Sequence, residues 1–387
     1  MFEGQEEIRQ KEFPQLMDRV WLNSSAFVPH AKSVIAAMEK FMHYFHDPQI
    51  GGNVDDLFKE TMEHAYAEGS KLLACSPENI SIIINTAHGL NFPLHGIDWE
   101  KGDNIVTCQL EFPTNYMPWM YISKRKKVDL REAKYDDNFH VSEDDIIDLI
   151  DDKTKLVSLS LVQFNNGQRI DAAKIAKVAH EHGALISLDA IQAMGAVDVY
   201  PSKMDVDFVS AGGPKYLMAP LGIGLCYISS RVLESMDPPL QGTGNYNFTD
   251  RDWNDRTVPY HKGAKRFEFG TTPFYCLAGL GAALKMINSV GIETNAKHNF
   301  DLTERLYDGF DDMGLPVITP RERKERAALL NVRLDKNKDL NAIVKTLEEK
   351  YKVTISARFG GLRFSTQLYN TEEDVDKALD ALKQILE

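Results

Sequence analysis

The sequence predicts an α/β protein, in which helices cover both faces of a mostly parallel sheet and a smaller α+β unit follows. The main observation is that short apolar runs alternate with helical patterns between Ser81 and Ser229. Three of these runs, at 184–188, 206–209 and 223–228, are bounded by Gly, Pro and Asp, as is typical of strands buried on both faces. We therefore expect a site where the carboxyl ends of these strands meet.

The remaining elements are predicted from the same patterns. Apolar residues at helical spacing predict helices at 31–45 and 54–73, and the loop 46–53 between them is either a lip of a substrate cleft or an ordinary turn. Further strands are expected at 81–85, 103–110, 128–130 and 155–161, and a helix at 171–182. After a loop-rich passage at 238–263, the smaller unit is predicted from strands at 329–334 and 353–356 and amphipathic helices at 340–350 and 372–386.

Composition argues against several classes of partner. The 387 residues include 44 basic and 57 acidic side chains, and the net charge of −13 disfavours nucleic acid or an anionic membrane surface. This length predicts about two domains. No apolar run approaches the ~20 residues of a membrane span and the N-terminal residues are polar, so we expect a cytoplasmic protein. The four cysteines form no CxxC pair and are expected to be reduced.

Two charged residues at the ends of consecutive predicted strands indicate a cofactor. Asp189 ends the first of the three apolar runs, and Lys215 follows the second, after a small-residue stretch that includes Ser210 and Gly213. A buried lysine is costly unless it is paired or neutral. An aromatic cation held by the Asp189 carboxylate could be bonded covalently to the Lys215 amine as a Schiff base. Pyridoxal 5'-phosphate (PLP) requires this arrangement, and Ser210 and Gly213 would line its site.

The segments D-A-I-Q at 189–192, S-A-G-G-P-K-Y at 210–216 and P-L-G-I-G at 220–224 resemble the class V aminotransferase family. That family also contains cysteine desulfurases, isopenicillin N epimerase and kynureninase. Further matches run from Trp21 to Tyr369, so the resemblance covers most of the chain. It implies the PLP-dependent transferase fold of the aspartate aminotransferase type, with an N-terminal arm at 1–20, a large PLP-binding domain at 21–265 and a small domain at 266–387.

A phosphate site is predicted at Thr86, Ala87 and His88, which come directly after the predicted strand at 81–85 and open a helical segment. Such a turn directs backbone N–H groups and the positive end of a helix toward one point, which suits a phosphate group. Thr86 can add its hydroxyl. For His88 the backbone N–H is the expected donor, and a catalytic base in its side chain is the alternative.

Three side chains are expected around the cofactor ring. Phe112 lies where the desulfurases carry a histidine, and it resembles the F-P-S-D stretch of kynureninase. We expect its ring to stack on the cofactor, with a core position as the alternative. Gln163 is expected to replace an asparagine that contacts substrate in the desulfurases, where this chain has Leu161. Gln192 would bond the ring oxygen.

Further site residues follow from the resemblance alone. Residues 266–273 match an E-x-G-T-P signature whose threonine reaches the phosphate of the neighbouring subunit. Thr271 or Thr272 and a homodimer with shared sites are therefore implied, and either threonine could also cap the next helix. Arg363 precedes the Y-N-T signature and would bind the substrate α-carboxylate. Asn23 belongs to the W-L-N-S-S segment, which lies beside the active site in the family, and is implied to bind substrate. Arg358 is expected to be a solvated loop charge.

The expected activity is that of a PLP-dependent enzyme of aminotransferase or lyase type that acts on an amino acid or amine. An epimerase or a desulfurase-like enzyme is the alternative, and no feature of the chain supports a third interpretation, a non-catalytic regulator. Desulfurases resembling this chain attack sulfur with a cysteine shortly before the carboxylate-binding arginine, but residues 353–362 contain none. No persulfide-forming nucleophile is therefore predicted. His180 and His182 face different directions on one helix, so no metal site is predicted.

Overall fold

A computed structural model describes residues 2–46, 54–249 and 251–387. Most of the predicted loop 46–53 lies outside these residues. The strands are β1 (Val20–Trp21), β2 (Ile80–Ile83), β3 (Asn104–Cys108), β4 (Asp129–Ala133), β5 (Thr154–Ser160), β6 (Leu185–Asp189), β7 (Phe208–Gly212), β8 (Gly224–Ile228), β9 (Leu329–Arg333), β10 (Val353–Thr354), β11 (Ser356–Arg358) and β12 (Gly361–Ser365). The helices are α1 (Gln5–Glu12), α2 (Lys32–His46), α3 (Val54–Leu73), α4 (Thr86–Gly96), α5 (Met117–Lys126), α6 (Glu143–Ile147), α7 (Ala172–Glu181), α8 (Pro201–Met204), α9 (Ser230–Ser235), α10 (Phe274–Val290), α11 (Ile292–Asp312), α12 (Leu340–Tyr351) and α13 (Glu372–Leu386).

The large sheet has seven strands in the order β2-β8-β7-β6-β5-β3-β4. The strands from β7 through β6, β5 and β3 to β4 pair in parallel, which confirms the predicted mostly parallel α/β fold. The third apolar run differs from its neighbours, because β8 pairs antiparallel with β7. The connection between β7 and β8 contains no helix, and a parallel return requires a crossover of a dozen or more residues. The short connection therefore fixes the reversed direction of β8.

The run at 353–356 divides into two strands. β10 pairs parallel with β1, whereas β11 pairs antiparallel with β12 in a separate sheet of order β11-β12-β9. Ile355 lies between the two strands and is buried. Sequence periodicity does not reveal this division, because it results from pairing with partners far apart in the chain.

Two apolar cores explain how the chain is arranged around the site. The larger core lies under the seven-stranded sheet and includes residues of α10, whereas a second core joins α11, α13, β9 and β12 with Val20 and Leu22. Helix α10 therefore packs with the large unit, although it comes after residue 266. The domain bounds 1–20, 21–265 and 266–387 stay a prediction.

The N-terminal arm is attached to the C-terminal part of the chain. Arg9, in α1, forms a buried ion pair with Asp374, with Nη1 2.7 Å from Oδ2. Gln5 donates from Nε2 to the carbonyl oxygen of Leu368 at 3.3 Å and to that of Asn370. The segment after α1 also contacts the C-terminal part of the chain, because Asn23 forms a β-bridge with Ser365 of β12.

Within the described residues, no single helix is long and apolar enough to cross a membrane. The helices α10 and α11 pass such a test only as a pair, with a bend of 76° between them. The same residues contain no group of three or more His, Cys, Asp and Glu side chains that could hold a metal ion.

Candidate active site

Asp189 and Lys215 lie at the carboxyl-end edge of the large sheet. Asp189 is the last residue of β6 and is 3% exposed, and only its Oδ1 accepts a hydrogen bond from a described residue, the Ile191 N–H at 2.9 Å. Lys215 follows β7 and is partly exposed. Burial raises the pKa of Asp189, and the charge of Lys215 opposes that shift. Burial lowers the pKa of Lys215, and the charge of Asp189 opposes it. The two groups are therefore close enough to interact electrostatically.

A second buried carboxylate, Glu111, was not identified from the sequence. It accepts hydrogen bonds from the Ser160 N–H at 2.7 Å, the Ser160 hydroxyl at 2.6 Å and Asn115 Nδ2 at 2.8 Å. Burial raises its pKa, and its charge contributes to the raised pKa of Asp189. Glu111 thus joins the ends of β3 and β5 beside the Asp189 carboxylate. Its position directly after an apolar run was the only sequence signal.

The amino terminus of α4 lies against the end of β7. Thr86 is buried, and its Oγ1 accepts a hydrogen bond from the Gly212 N–H at 3.0 Å, which leaves the hydroxyl proton available to donate. The N–H groups of Thr86 and Ala87 have no acceptor among the described residues. Asn85 caps the helix, since its Oδ1 accepts from the His88 N–H at 2.9 Å. The structure therefore places two free N–H groups and a hydroxyl here, whereas the His88 N–H is occupied by the cap.

The His88 side chain packs against two aromatic rings. Its Nδ1 accepts from the Ile84 N–H at 3.4 Å, and its ring makes edge contacts with Phe92 and Phe269. Burial lowers its pKa. Nε2 is buried without a partner among the described residues.

Ser210 and Gly213 support the backbone beneath this edge. The Ser210 hydroxyl donates to Cys226 Sγ at 3.4 Å, and a Cβ added at Gly89 of α4 would lie 2.2 Å from Ser210 Oγ. Gly213 donates to the Ile223 carbonyl oxygen at 2.8 Å, and a Cβ there would lie 2.7 Å from the Pro220 oxygen. The absence of a Cβ at Gly89 and at Gly213 allows the helix and the loop to approach closely, and the Ser210 hydroxyl points into this packing.

Phe112 lies above Lys215, with Nζ 5.7 Å from the centroid of its ring. The ring is 41% exposed and contacts Phe164 edge-on at 5.1 Å. Phe112 is therefore an exposed residue beside Lys215, and the alternative that it belongs to the core is wrong.

Gln163 occupies a turn after β5 and not the strand itself. Its Nε2 donates to Glu111 Oε1 at 3.2 Å and to Cys108 Sγ at 3.4 Å, and its Oε1 is buried without a partner among the described residues. The prediction that Gln163 and Leu161 share a strand face was wrong, because β5 ends at Ser160.

Three further predicted residues present polar atoms that the described residues do not satisfy. Gln192 donates from Nε2 to the Ser25 carbonyl oxygen at 3.1 Å, while its Oε1 is buried without a partner. The Oδ1 of Asn23 is also buried and unpaired. Arg363 is 3% exposed, and it donates from Nη1 to the Phe164 carbonyl oxygen at 2.7 Å while its Nε has no acceptor. Burial lowers the pKa of Arg363 to about 10.

Thr271 and Thr272 lie elsewhere on this subunit. They line a cleft of about 460 Å³ together with Tyr246 and Trp253, and neither Lys215 nor Asp189 lines it. The structure of one chain therefore does not bring either threonine to the Lys215 site. A role toward the neighbouring subunit stays a prediction.

The residues present fit PLP on chemical grounds. A half-buried lysine faces an aromatic ring, and a buried carboxylate with an unpaired oxygen lies within electrostatic reach of that lysine. Free N–H groups at the start of an eleven-residue helix suit a phosphate group. The unpaired Gln192 Oε1 and Arg363 Nε require polar partners that the described protein does not supply.

The fold and the site define a PLP-dependent enzyme. The chain belongs to the aminotransferase class V family, whose sequence model matches residues 20–378. It is accordingly PLP-dependent and acts on an amino acid.

Two curated relatives are named as cysteine desulfurases. A protein of Methanothermobacter thermautotrophicus named "Probable cysteine desulfurase" is 26% identical over 100% of this chain and 99% of its own length. A cysteine desulfurase of Haloferax volcanii is 26% identical over 94% of this chain and 88% of its own length.

Solved structures share the fold. The apo cysteine desulfurase of Thermococcus onnurineus has a TM-score of 0.86 at 22% identity, covering 98% of this chain and 97% of that one. The cystine C–S lyase C-DES, in complex with its reaction product cysteine persulfide, has a TM-score of 0.87 at 21% identity, covering 96% of this chain and 99% of that one. At these identities the likeness establishes the fold alone.

Proposed function

We propose that this chain is a PLP-dependent lyase that breaks the C–S bond of a sulfur amino acid by elimination, without forming a persulfide on the protein. The observation that carries the proposal is the connection between β11 and β12. Arg358 pairs with Gly361, so only Phe359 and Gly360 form the turn. Both have positive φ values, 51° and 72°, as in the tight two-residue turns of β-hairpins. A hairpin of this kind has no room for a cysteine-bearing loop before Arg363.

The four cysteines themselves support elimination. Cys108 and Cys226 are buried, and burial raises the pKa of Cys226 to about 12 and also raises that of Cys108. Burial raises the pKa of Cys75 to about 11, and it also raises that of Cys276. A thiol that stays protonated is a poor nucleophile. Among the described residues, no thiol is therefore suited to accept sulfur.

For the cofactor we propose holding residues on two sides of the sheet edge. The Thr86 hydroxyl and the N–H groups of Thr86 and Ala87 would bind the phosphate, and Asp189 would pair with the ring nitrogen. Phe112 would cover one face of the ring, and Gln192 would contact its oxygen. Ser210, Gly213 and Gln163 act by packing, and Glu111 fixes the strand ends that carry these groups.

The reaction requires binding of an amino acid and removal of its Cα proton. Arg363 would bind the α-carboxylate, since its Nε and second terminal nitrogen have no acceptor among the described residues. When bound, PLP stabilises the negative charge that develops at Cα. Lys215 would take the Cα proton, because burial lowers its pKa and favours the neutral amine. The electron pair of the broken Cβ–S bond leaves with sulfur, and hydrolysis of the remaining three-carbon fragment gives pyruvate and ammonia.

The test is product analysis with the holoenzyme. L-cysteine, L-cystine and further L- and D-amino acids should be compared for release of sulfide or persulfide, pyruvate and ammonia in equal amounts. A variant with all four cysteines replaced by alanine or serine should keep at least half of this activity. Loss of activity with a persulfide trapped on one thiol would establish the desulfurase mechanism instead. A keto acid with the same carbon skeleton as the substrate, or an inverted amino acid, would indicate an aminotransferase or an epimerase.

We also propose a homodimer in which Thr271 or Thr272 approaches the phosphate of the neighbouring subunit. Large apolar side chains are exposed around the site, including Phe27 at 57% and Leu221 at 66%, and a second copy would cover them. A monomer in sedimentation that retains full PLP affinity would contradict this arrangement. A cytoplasmic location stays a prediction.

A further inference from the structure

Three arginines lie on one face of the small sheet β11-β12-β9. Arg358 pairs with Gly361, which pairs in turn with Arg333. Arg363 lies two residues after Gly361 on β12, and residues two apart on a strand share a face. Because cross-strand partners also share a face, the side chains of Arg333, Arg358 and Arg363 all project from the same side.

None of these guanidinium groups has an acidic partner among the residues that the structure describes. Arg358 donates from Nη1 to the carbonyl oxygen of Ala357 at 2.9 Å, and Arg363 donates to that of Phe164. The Nε atoms of Arg333 and Arg363 are buried without acceptors. Most arginines elsewhere in a chain with net charge −13 are paired with carboxylates, as at Arg9. An unpaired cationic face therefore requires an explanation.

This face is directed toward the Lys215 site. Arg363 contacts the segment after β5 through Phe164, and the charges of both Arg363 and Arg358 lower the pKa of Lys215. Arg358 is exposed, as expected for a loop charge, but its charge nevertheless acts on the site. Two guanidinium groups are more than a single α-carboxylate requires, since one planar fork binds one carboxylate.

Arg333 occupies a different position on the same face. Its guanidinium lies 4.5 Å from the ring centroid of Phe139 and 5.4 Å from that of Phe359. A Cβ added at Gly360 would lie 2.3 Å from Arg333 Nη1. Arg333 is therefore a positioning residue that holds the Phe359–Gly360 turn next to Arg358.

We propose that the substrate carries a second anionic group at its distal end and that Arg358 binds it, while Arg363 binds the α-carboxylate. The inference rests on the proposed function, because it requires an amino acid at Arg363. The substrate class is then a sulfur amino acid whose side chain carries a carboxylate or another anionic group beyond the sulfur, and simple cysteine is a poorer ligand.

Calorimetric titration of the holoenzyme with unreactive acids tests this proposal. Succinate and glutarate should bind more tightly than butyrate and valerate. Because Arg358 is exposed, we expect a preference of roughly fivefold to tenfold rather than a thousandfold. Arg358→Gln should reduce this ratio to about one, and Arg358→Lys should retain part of it. Arg125→Gln removes an exposed charge at the end of α5 and should keep the wild-type ratio.

A second measurement of affinity follows the cofactor absorbance of the holoenzyme during titration with aspartate, asparagine, glutamate and glutamine. The acidic members should bind more tightly, and Arg358→Gln should remove the difference. Equal affinities in the wild type, or a preference that survives Arg358→Gln, would overturn the proposal. Failure to release sulfur from any amino acid would instead refute the elimination reaction and leave these binding ratios interpretable.

Discussion

Replacing Gly89 by alanine should destabilise the protein through a contact with a single strand residue. The added Cβ would lie 2.2 Å from the Oγ and 2.9 Å from the Cβ of Ser210. Ser210 is fully buried, bonded to Cys226 and paired within the sheet, so it cannot move aside. Overpacking of this kind costs about 1–3 kcal/mol. Alanine favours a helix over glycine by about 1 kcal/mol, which leaves a net loss of about 0–2 kcal/mol.

The matched experiment repeats the change in a Ser210→Gly background. That background removes both clashing atoms, and the next nearest atom is Ile83 Cδ1, at 3.3 Å. Gly89→Ala should then be neutral or should stabilise the protein by up to about 1 kcal/mol. The two backgrounds should thus differ by about 1–3 kcal/mol in the effect of one substitution.

Denaturant unfolding of the four apoproteins measures this coupling, and a PLP titration measures its functional consequence. Because α4 begins at Thr86, an outward shift of the helix should weaken PLP binding in Gly89→Ala, and Ser210→Gly should restore it. Equal effects of Gly89→Ala in the two backgrounds would refute the assignment of the clash. Unchanged PLP affinity in Gly89→Ala would show that α4 does not bind the phosphate group.

Three further predictions concern the site and its surroundings. Borohydride treatment of the holoenzyme should attach the cofactor to Lys215. Peptide mapping that finds the cofactor on another lysine would contradict this assignment. Arg363→Lys should weaken amino-acid binding about tenfold or more while leaving the cofactor spectrum intact, because lysine keeps the charge but loses the fork; unchanged binding would move the carboxylate site. Burial raises the pKa of Glu268 from 4.5 to about 7, while its Oε1 accepts from the Ile82 N–H at 2.7 Å and from the Tyr66 hydroxyl. The unfolded state therefore ionises first, so Glu268 should lower stability by up to about 3 kcal/mol as pH rises from 4.5 to 7, and in pH-dependent denaturation Glu268→Gln should reduce the fall over this range by that amount.

Much of the fold could be predicted because its signals are local. The helix at 54–73 is α3, and the helix at 372–386 is α13, since apolar periodicity over several turns depends only on neighbours in the chain. The family was identifiable from short segments around Asp189 and Lys215, and the structure places both residues at one edge of the sheet. A charged residue directly after a buried strand is a local pattern, and it indicates a functional site more readily than a structural role.

The sequence by itself therefore determined the fold class, the family and the cofactor, and it predicts Lys215 as the lysine that binds the cofactor. Only the tertiary structure decided the direction of β8, the Glu111 hydrogen bonds to Ser160, and the turn from which Gln163 reaches Glu111. It also placed Arg333, Arg358 and Arg363 on one face, through a register that joins β9, β11 and β12. Strand register, burial and the pairing of charges are sums of contacts between residues far apart in the chain, and no local pattern contains them.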